Sequence, residues 1–465
     1  MKKNSWLLMG LMCVAILSGC RMYTTPVTPA GKEIAEACPD SLKLARKELP
    51  AEQNAYVIFT NALPELKLPD GNKLSDAYLL ACTLSTNMPE GEARKQLDAW
   101  LESKKEPLAL MSQGIALGQL QFPILNDSTF IPCFSNMRHA ARVKVILARE
   151  HAERGEYTES AREFVETFKM GQLITTGNGP LIHYMVGMAV EGLGLNGMRW
   201  LACRDDVPPE VLRQIQNDLP IPHADDPALA QTYRVEYVQC TVPALKEIEQ
   251  NASSPTNHFP IYTSRVFDLT NSITLAGTFS ARFVTNALTS WTNRDTRIST
   301  DAENLATLKG ITNNLDFVMG LTMSSNMDRE NRKKWKQLEK LGRKQPNIFG
   351  KLMLAMIIPV GDKLLENSVK FRTKINLTRA LVALHLYRRD TGNWPESLED
   401  VRMKSLLPDP PIDFFTGKPV LYSREKGMLW SVGADGKDDG GDEKKDVVIT
   451  FPTQSSQPTH SPQGK

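Results

Sequence analysis

No apolar stretch of this sequence stays uninterrupted for the roughly 20 residues that a bilayer-spanning helix needs. The N-terminal run stops at Leu17, and the run 180–202 is broken by glycines, Asn196 and Arg199. A dominant charge is missing as well. Lys and Arg number 55 against 53 Asp and Glu, a formal charge of +2, so composition carries no signal for nucleic acid or an acidic membrane surface. The seven cysteines form no CxxC, no zinc spacing and no even-numbered disulfide framework, so buried free thiols are the expected state. Catalytic signatures are absent too: there is no HExxH, no GxSxG, no P-loop and no GxGxxG following a strand. The histidines are scattered. His139, His151, His183 and His385 lie in helical segments, where a satisfied surface or core histidine is commoner than a ligand, and only His183 sits in a strongly apolar one. The pairs Asp205-Asp206 and Asp225-Asp226 flank proline-containing helix boundaries and read as caps.

What is present begins with an address. Lys2 and Lys3 precede the apolar run Trp6 to Leu17, which suits a signal h-region. It ends in Leu17-Ser18-Gly19-Cys20, a quartet that resembles the bacterial lipobox. By that resemblance residues 1–20 are a lipoprotein signal and Cys20 becomes the acylated mature N-terminus. Several acyl chains, at about 0.8 kcal/mol per buried methylene, anchor a protein without any spanning helix. Arg21 stands where Asp would resemble an inner-membrane retention signal, which favours the outer membrane on its periplasmic face. Residues 21–32 are rich in Thr and Pro and read as a tether.

The body is that of a folded globular protein, 41% hydrophobic and 23% charged, and its length implies more than one ordinary core. From 33 to 250 apolar residues recur at intervals of three and four, which predicts an α-helical domain. Residues 138–174 predict a helical hairpin turning at Gly155. Val143, Ile146, Leu147 and Ala148 line its first arm, and Ala161, Phe164, Val165 and Phe168 its second. The layout resembles one tetratricopeptide unit, although no second copy appears at a period of about 34 residues. Residues 180–202 predict a central helix on which neighbours pack closely at glycines 187, 192, 194 and 197. Residues 209–219 predict a helix with proline in its first turn. Residues 251–345 are loop-rich, with a helix over 268–288 and a basic, solvated helix over 328–345. From 346 to 452 a long helix, kinked or broken at Pro359 and ended by Gly392, leads into a small α+β domain. There 419–424 and 427–432 predict a hairpin and 447–451 a third strand, while 453–465 read as a disordered tail.

Several residues of this last domain occur in a telling order. They are Tyr387, Gly392-Asn393-Trp394-Pro395, Leu398, Pro408, Asp413, Phe415-Thr416-Gly417-Lys418-Pro419, Leu421-Tyr422 and Ser431-Val432-Gly433-Ala434-Asp435-Gly436. In this order they resemble the globular half of the major pseudopilins of type II secretion. The resemblance covers about the last quarter of the chain and is most specific in its final motif. The whole chain is also similar to exported proteins of planctomycetes and verrucomicrobia that carry helices ahead of such a module. An internal helix behind a lipoprotein signal departs from the pseudopilin pattern and speaks against ordinary filament assembly.

Pseudopilins bind calcium in the loop after this motif. By position, the resemblance places a ligand carbonyl on Val432 and a first carboxylate on Asp435. The loop here is one residue longer before Gly440-Gly441, and Asp439 with Asp442 are taken as the later ligands, Asp446 as a substitute. The residues themselves agree in kind. Calcium takes six to eight oxygens at about 2.3–2.6 Å, and glycines let a short loop wrap it. Two carboxylates about 5 Å apart repel by roughly 3 kcal/mol at an effective dielectric near 20. An EF-hand alignment fits by half, with Asp435, Asp439, Gly440 and Asp446 in place and Lys437 out of place. The competing reading is a charged, solvated turn. The expected whole is thus a mainly α protein: a helical-hairpin body, a long helix and a three-stranded α+β module. It would serve as a lipid-anchored, non-enzymatic scaffold for envelope or secretion proteins, not nucleic acid. The alternative is an envelope enzyme whose site is assembled between helices.

Overall fold

The computed structural model describes residues 39–44, 47–66, 73–123, 130–252, 268–298, 301, 347–403 and 405–452. The signal, Cys20, the tether, the basic helix over 328–345 and the tail all lie outside these residues, as does most of 251–345. The chain is mainly helical with a small antiparallel sheet region near its C-terminus. Short helices come first: α1 (Ala55–Ala62), α2 (Lys73–Cys82), α3 (Gly91–Glu102) and α4 (Lys105–Ala116). The predicted hairpin follows as α5 (Phe130–Glu153) and α6 (Tyr157–Thr176), turning at Gly155, whose φ of 76° favours glycine. Arg149 on α5 fastens this hairpin to what precedes it. Its guanidinium donates to the carbonyls of Leu80, Ala81, Thr83 and Thr86, so a buried cation closes the C-terminal end of α2.

The central helix α7 (Leu181–Ala202) explains its own composition. Leu181 and Tyr184 enter one apolar cluster, Val186 and Val190 a second, and Leu195, Met198 and Leu201 a third. A helix shared by three clusters is apolar on most sides, with Ala189 and Asn196 left exposed. It crosses α6 at backbone contact. A Cβ on Gly194 would lie 2.5 Å from the Phe168 amide nitrogen and 2.6 Å from the Phe164 carbonyl oxygen.

Helices α8 (Pro209–Asp218) and α9 (Pro227–Val235) carry proline in their first turn, as the sequence implied for α8. A π-helical turn, Glu236–Thr241, links α9 to α10 (Val242–Ala252), and α11 (Leu269–Ala287) is helical throughout despite its β-branched residues. Packing decides that case: Ala276, Phe279, Phe283 and Val284 are buried on one face.

The long helix α12 (Ile348–Thr391) runs unbroken through Pro359, so of the two expectations there the break is excluded. Proline costs a helix one hydrogen bond and a local clash, and the packing of so long a helix outweighs it. It ends at Gly392, φ 77°, whose amide donates to the Arg388 carbonyl. After α13 (Leu398–Met403) comes a two-residue ladder of β1 (Ile412–Asp413) with β2 (Lys418–Pro419). The predicted three strands follow as β3 (Leu421–Ser423), β4 (Met428–Ser431) and β5 (Val447–Thr450), antiparallel in that order, with Leu429 opposite Tyr422 and Ile449. The hairpin turns at Gly427, φ 60°. One apolar cluster joins this sheet to the helices: Leu429, Val447, Ile449 and Phe451 share it with Leu381 and Leu384 of α12, Phe283 of α11 and Tyr184 of α7. Among the described residues no helix is long and apolar enough to cross a membrane.

Candidate functional site

The acidic loop joins two strands whose pairing fixes its ends. At its start, buried Asp413 accepts from the amides of Phe415 (2.9 Å) and Val432 (3.2 Å), tying the β1 turn to the end of β4. Burial pushes the Asp413 carboxyl up against these hydrogen bonds. Gly433 then passes so close to the returning strand that a Cβ there would lie 2.4 Å from the Lys445 carbonyl oxygen.

The predicted ligands divide in two groups. Val432 is buried, whereas Asp435 and Asp442 are exposed and fold into local turns, accepting from the amides of Lys437 (3.1 Å) and Lys444 (3.0 Å). Asp439 is partly buried; one oxygen pairs with Lys445 Nζ at 2.7 Å and the other, Oδ2, is buried with no hydrogen-bond donor. Asp446, the substitute ligand, is the deepest acid of the loop at 2% exposure. Its Oδ2 accepts from the Gly441 amide at 2.8 Å, and its Oδ1 is likewise buried without a donor. Asp438 serves the scaffold: the Trp430 indole and the Gly440 amide both donate to it at 2.9 Å, and the indole bond first of all holds its carboxyl below the ordinary range. Among the described residues no three His, Cys, Asp or Glu side chains converge on one metal-sized point. The donor set still suits a hard cation. It is all oxygen, and it holds two carboxylate oxygens that the protein leaves unsatisfied. Sequence reasoning held Asp446 as a substitute because it counted loop positions; in the fold Asp446 directly precedes β5 and is buried.

The groups considered for catalysis are spread over the molecule, some buried and some exposed, and brace neighbouring elements. Asp226 caps α9, accepting from the Leu229 amide at 2.9 Å, and also takes the hydroxyls of Tyr184 on α7 and Ser368 on α12. Its neighbour Asp225 contributes only a carbonyl, which accepts from Arg372 at 2.7 Å. Asp205 and Asp206 are not caps, because Pro208 occupies the N-cap of α8. Asp206 pairs with Arg204 (2.7 Å) and the Tyr157 hydroxyl (2.6 Å), and Asp205 pairs with Arg388 (3.2 Å). His183 lies against the Phe122 ring and His385 against Trp394, and burial pushes both imidazoles down to about 3, so they are neutral core rings. Cys82, Cys203 and Cys240 are free thiols.

Four buried or partly buried acids went unnoticed in the sequence. Glu163 and Glu166 on α6 clasp Lys144 of α5, itself 1% exposed, at 2.6 and 2.8 Å. Glu191 on α7 accepts from Thr175 Oγ1 at 3.0 Å, and burial pushes its carboxyl up to about 8. Glu236 in the π-helical turn accepts from the Leu181 amide at 3.0 Å, capping α7 from another element, and burial lifts it to about 7. A charged residue inside an apolar helix face was their only sequence signal. No family model, curated protein or solved structure matches the chain.

Proposed function

We propose that this protein is a non-catalytic scaffold of the bacterial cell envelope, lipid-anchored at Cys20 on the periplasmic face of the outer membrane, whose C-terminal module is fastened by calcium. The observation that carries the reading is the pair of buried carboxylate oxygens without donors, Asp439 Oδ2 and Asp446 Oδ1. Leaving such an atom unsatisfied costs about 1–3 kcal/mol, more for a charged group, and a hard cation removes the penalty. Asp439 and Asp446 would hold the ion, with Asp435, Asp442 and the Val432 carbonyl as the further oxygens that the pseudopilin resemblance supplies. What the ion adds is charge neutralisation that draws the loop between β4 and β5 closed. The lipobox residues Leu17 to Cys20 support the anchor. The resemblance supports envelope or secretion proteins as partners, with the helical body holding the module away from the membrane.

Calcium titration of the full chain by calorimetry tests this, with melting followed in parallel. Wild type is expected to give a one-site heat and a rise in Tm that magnesium does not reproduce, and Asp446→Asn is expected to lose both. An absence of heat together with an unchanged Tm in wild type removes the calcium assignment. Cys20→Ala is expected to move the protein from the membrane fraction to the soluble periplasm, and continued membrane association would remove the anchor.

A further inference from the structure

The loop between β4 and β5 carries cations of its own. Lys445 Nζ lies 2.7 Å from Asp439 Oδ1, and Lys426 Nζ donates to the Gly440 carbonyl at 3.0 Å while sitting 5.7 Å from the centre of the Trp430 ring. The two contacts differ in kind. Lys426 is held by a carbonyl and an aromatic face, both neutral groups. Lys445 pairs with a carboxylate, and with one of the two acids whose other oxygen is buried without a donor.

Asp439 and Asp446 are disposed alike. Each has one oxygen held by a donor, Lys445 Nζ for Asp439 and the Gly441 amide (2.8 Å) for Asp446, and one buried oxygen that no donor reaches. Asp446 is 2% exposed, so its bare oxygen is withdrawn from water as well. The two donors are not equivalent. The Gly441 amide is fixed by the backbone, whereas the Lys445 side chain is 53% exposed and ends a flexible stem that can swing into water. An exposed ion pair of this kind adds little to stability, so a divalent ion can displace it. The displacement still counts against the ion, and an ammonium that stays within a few ångströms repels it.

We propose that Lys445 is a built-in competitor for calcium: its ammonium occupies Asp439, offsets the loop's negative charge while calcium is scarce, and lowers the loop's affinity for the ion. This rests on the calcium reading given above and adds to it what sets the affinity. Calcium sites are tuned over many orders of magnitude by the charge of their ligands, and a lysine seated on a ligand acts as the loss of one negative charge. Displacement and repulsion work in the same direction. The sign of the effect is therefore the same whether the ammonium leaves or stays.

The test uses the full chain, with calcium as titrant in calorimetry and thermal melting in buffer containing a chelator. Lys445→Gln is expected to bind calcium about fivefold or more tighter than wild type and, without calcium, to melt lower than wild type. Lys445→Arg keeps the charge and is expected to keep wild-type affinity. Lys444→Gln removes the same charge one residue away. Lys444 is exposed, its amide donates to Asp442 at 3.0 Å, and it makes no ion pair among the described residues, so this variant is expected to stay near wild type in both measurements. Calcium binding by Lys445→Gln equal to or weaker than wild type, or a gain that Lys444→Gln matches, overturns the proposal and leaves the calcium assignment standing. No heat in wild type or in any variant removes the calcium assignment and this inference with it.

Discussion

Glu191→Gln reads the electrostatics of the core directly. The Glu191 carboxyl is 6% exposed, and burial lifts it from 4.5 to about 8, with Thr175 hydrogen-bonded to it and the Asp226 carboxylate raising it further. The folded value lies above the unfolded one, so the folded chain retains a proton that the unfolded chain has released. The stability this contributes is complete below 4.5 and is lost as pH rises towards 8. Within that window the loss is about 1.4 kcal/mol per pH unit, or about 2.7 kcal/mol between roughly pH 5.5 and 7.5. Glu236 adds a loss of the same sign up to about 7. Depressed carboxyls such as Asp295, which its hydrogen bonds to Arg297 hold at about 2, titrate below this window and leave it undisturbed. Glutamine keeps an oxygen for the Thr175 hydroxyl and has no proton to lose. Urea unfolding of wild type and variant across the window should therefore show the difference growing in the variant's favour by about 2.7 kcal/mol. Parallel curves would mean that Glu191 reaches water in the folded state and that the packing argument is wrong.

Gly194→Ala is expected to destabilise the chain by about 1–3 kcal/mol, since its Cβ would strike backbone atoms of α6 that cannot move aside. Gly192→Ala, two residues away and on the opposite side of the same helix with only the Phe371 ring at 3.9 Å, should instead gain up to about 1 kcal/mol of helix propensity. Chemical denaturation of the two variants side by side decides whether close approach or glycine content matters. Lys144→Met should cost about 1–3 kcal/mol, because Glu163 and Glu166 then keep only the exposed Arg162 as a cation and lose the buried one between them. A midpoint equal to wild type in the same assay would refute that.

The legible part of this fold is the part set by local period. Gly155 and Gly392 end helices, the apolar stripe of α6 is the stripe that is buried, and β3, β4 and β5 lie within the three predicted strand segments. Such features depend on neighbours a few residues away. Where packing across the molecule decides, the local signal is weaker: the threonines of α11 do not prevent its predicted helix, and α12 continues past Pro359. The candidate site shows the same division. Its loop could be placed between two strands, but whether a given acid lies inside depends on contacts such as Gly433 with Lys445 and Asp413 with Val432, which periodicity does not encode.

The charged interior is the least legible layer, and the reason is distance along the chain. Lys144 meets Glu163 19 residues on, Glu191 meets Thr175 16 residues back, and Tyr184 meets Ser368 184 residues on. Read singly, each is a polar residue misplaced in an apolar stripe, and only the fold supplies its partner.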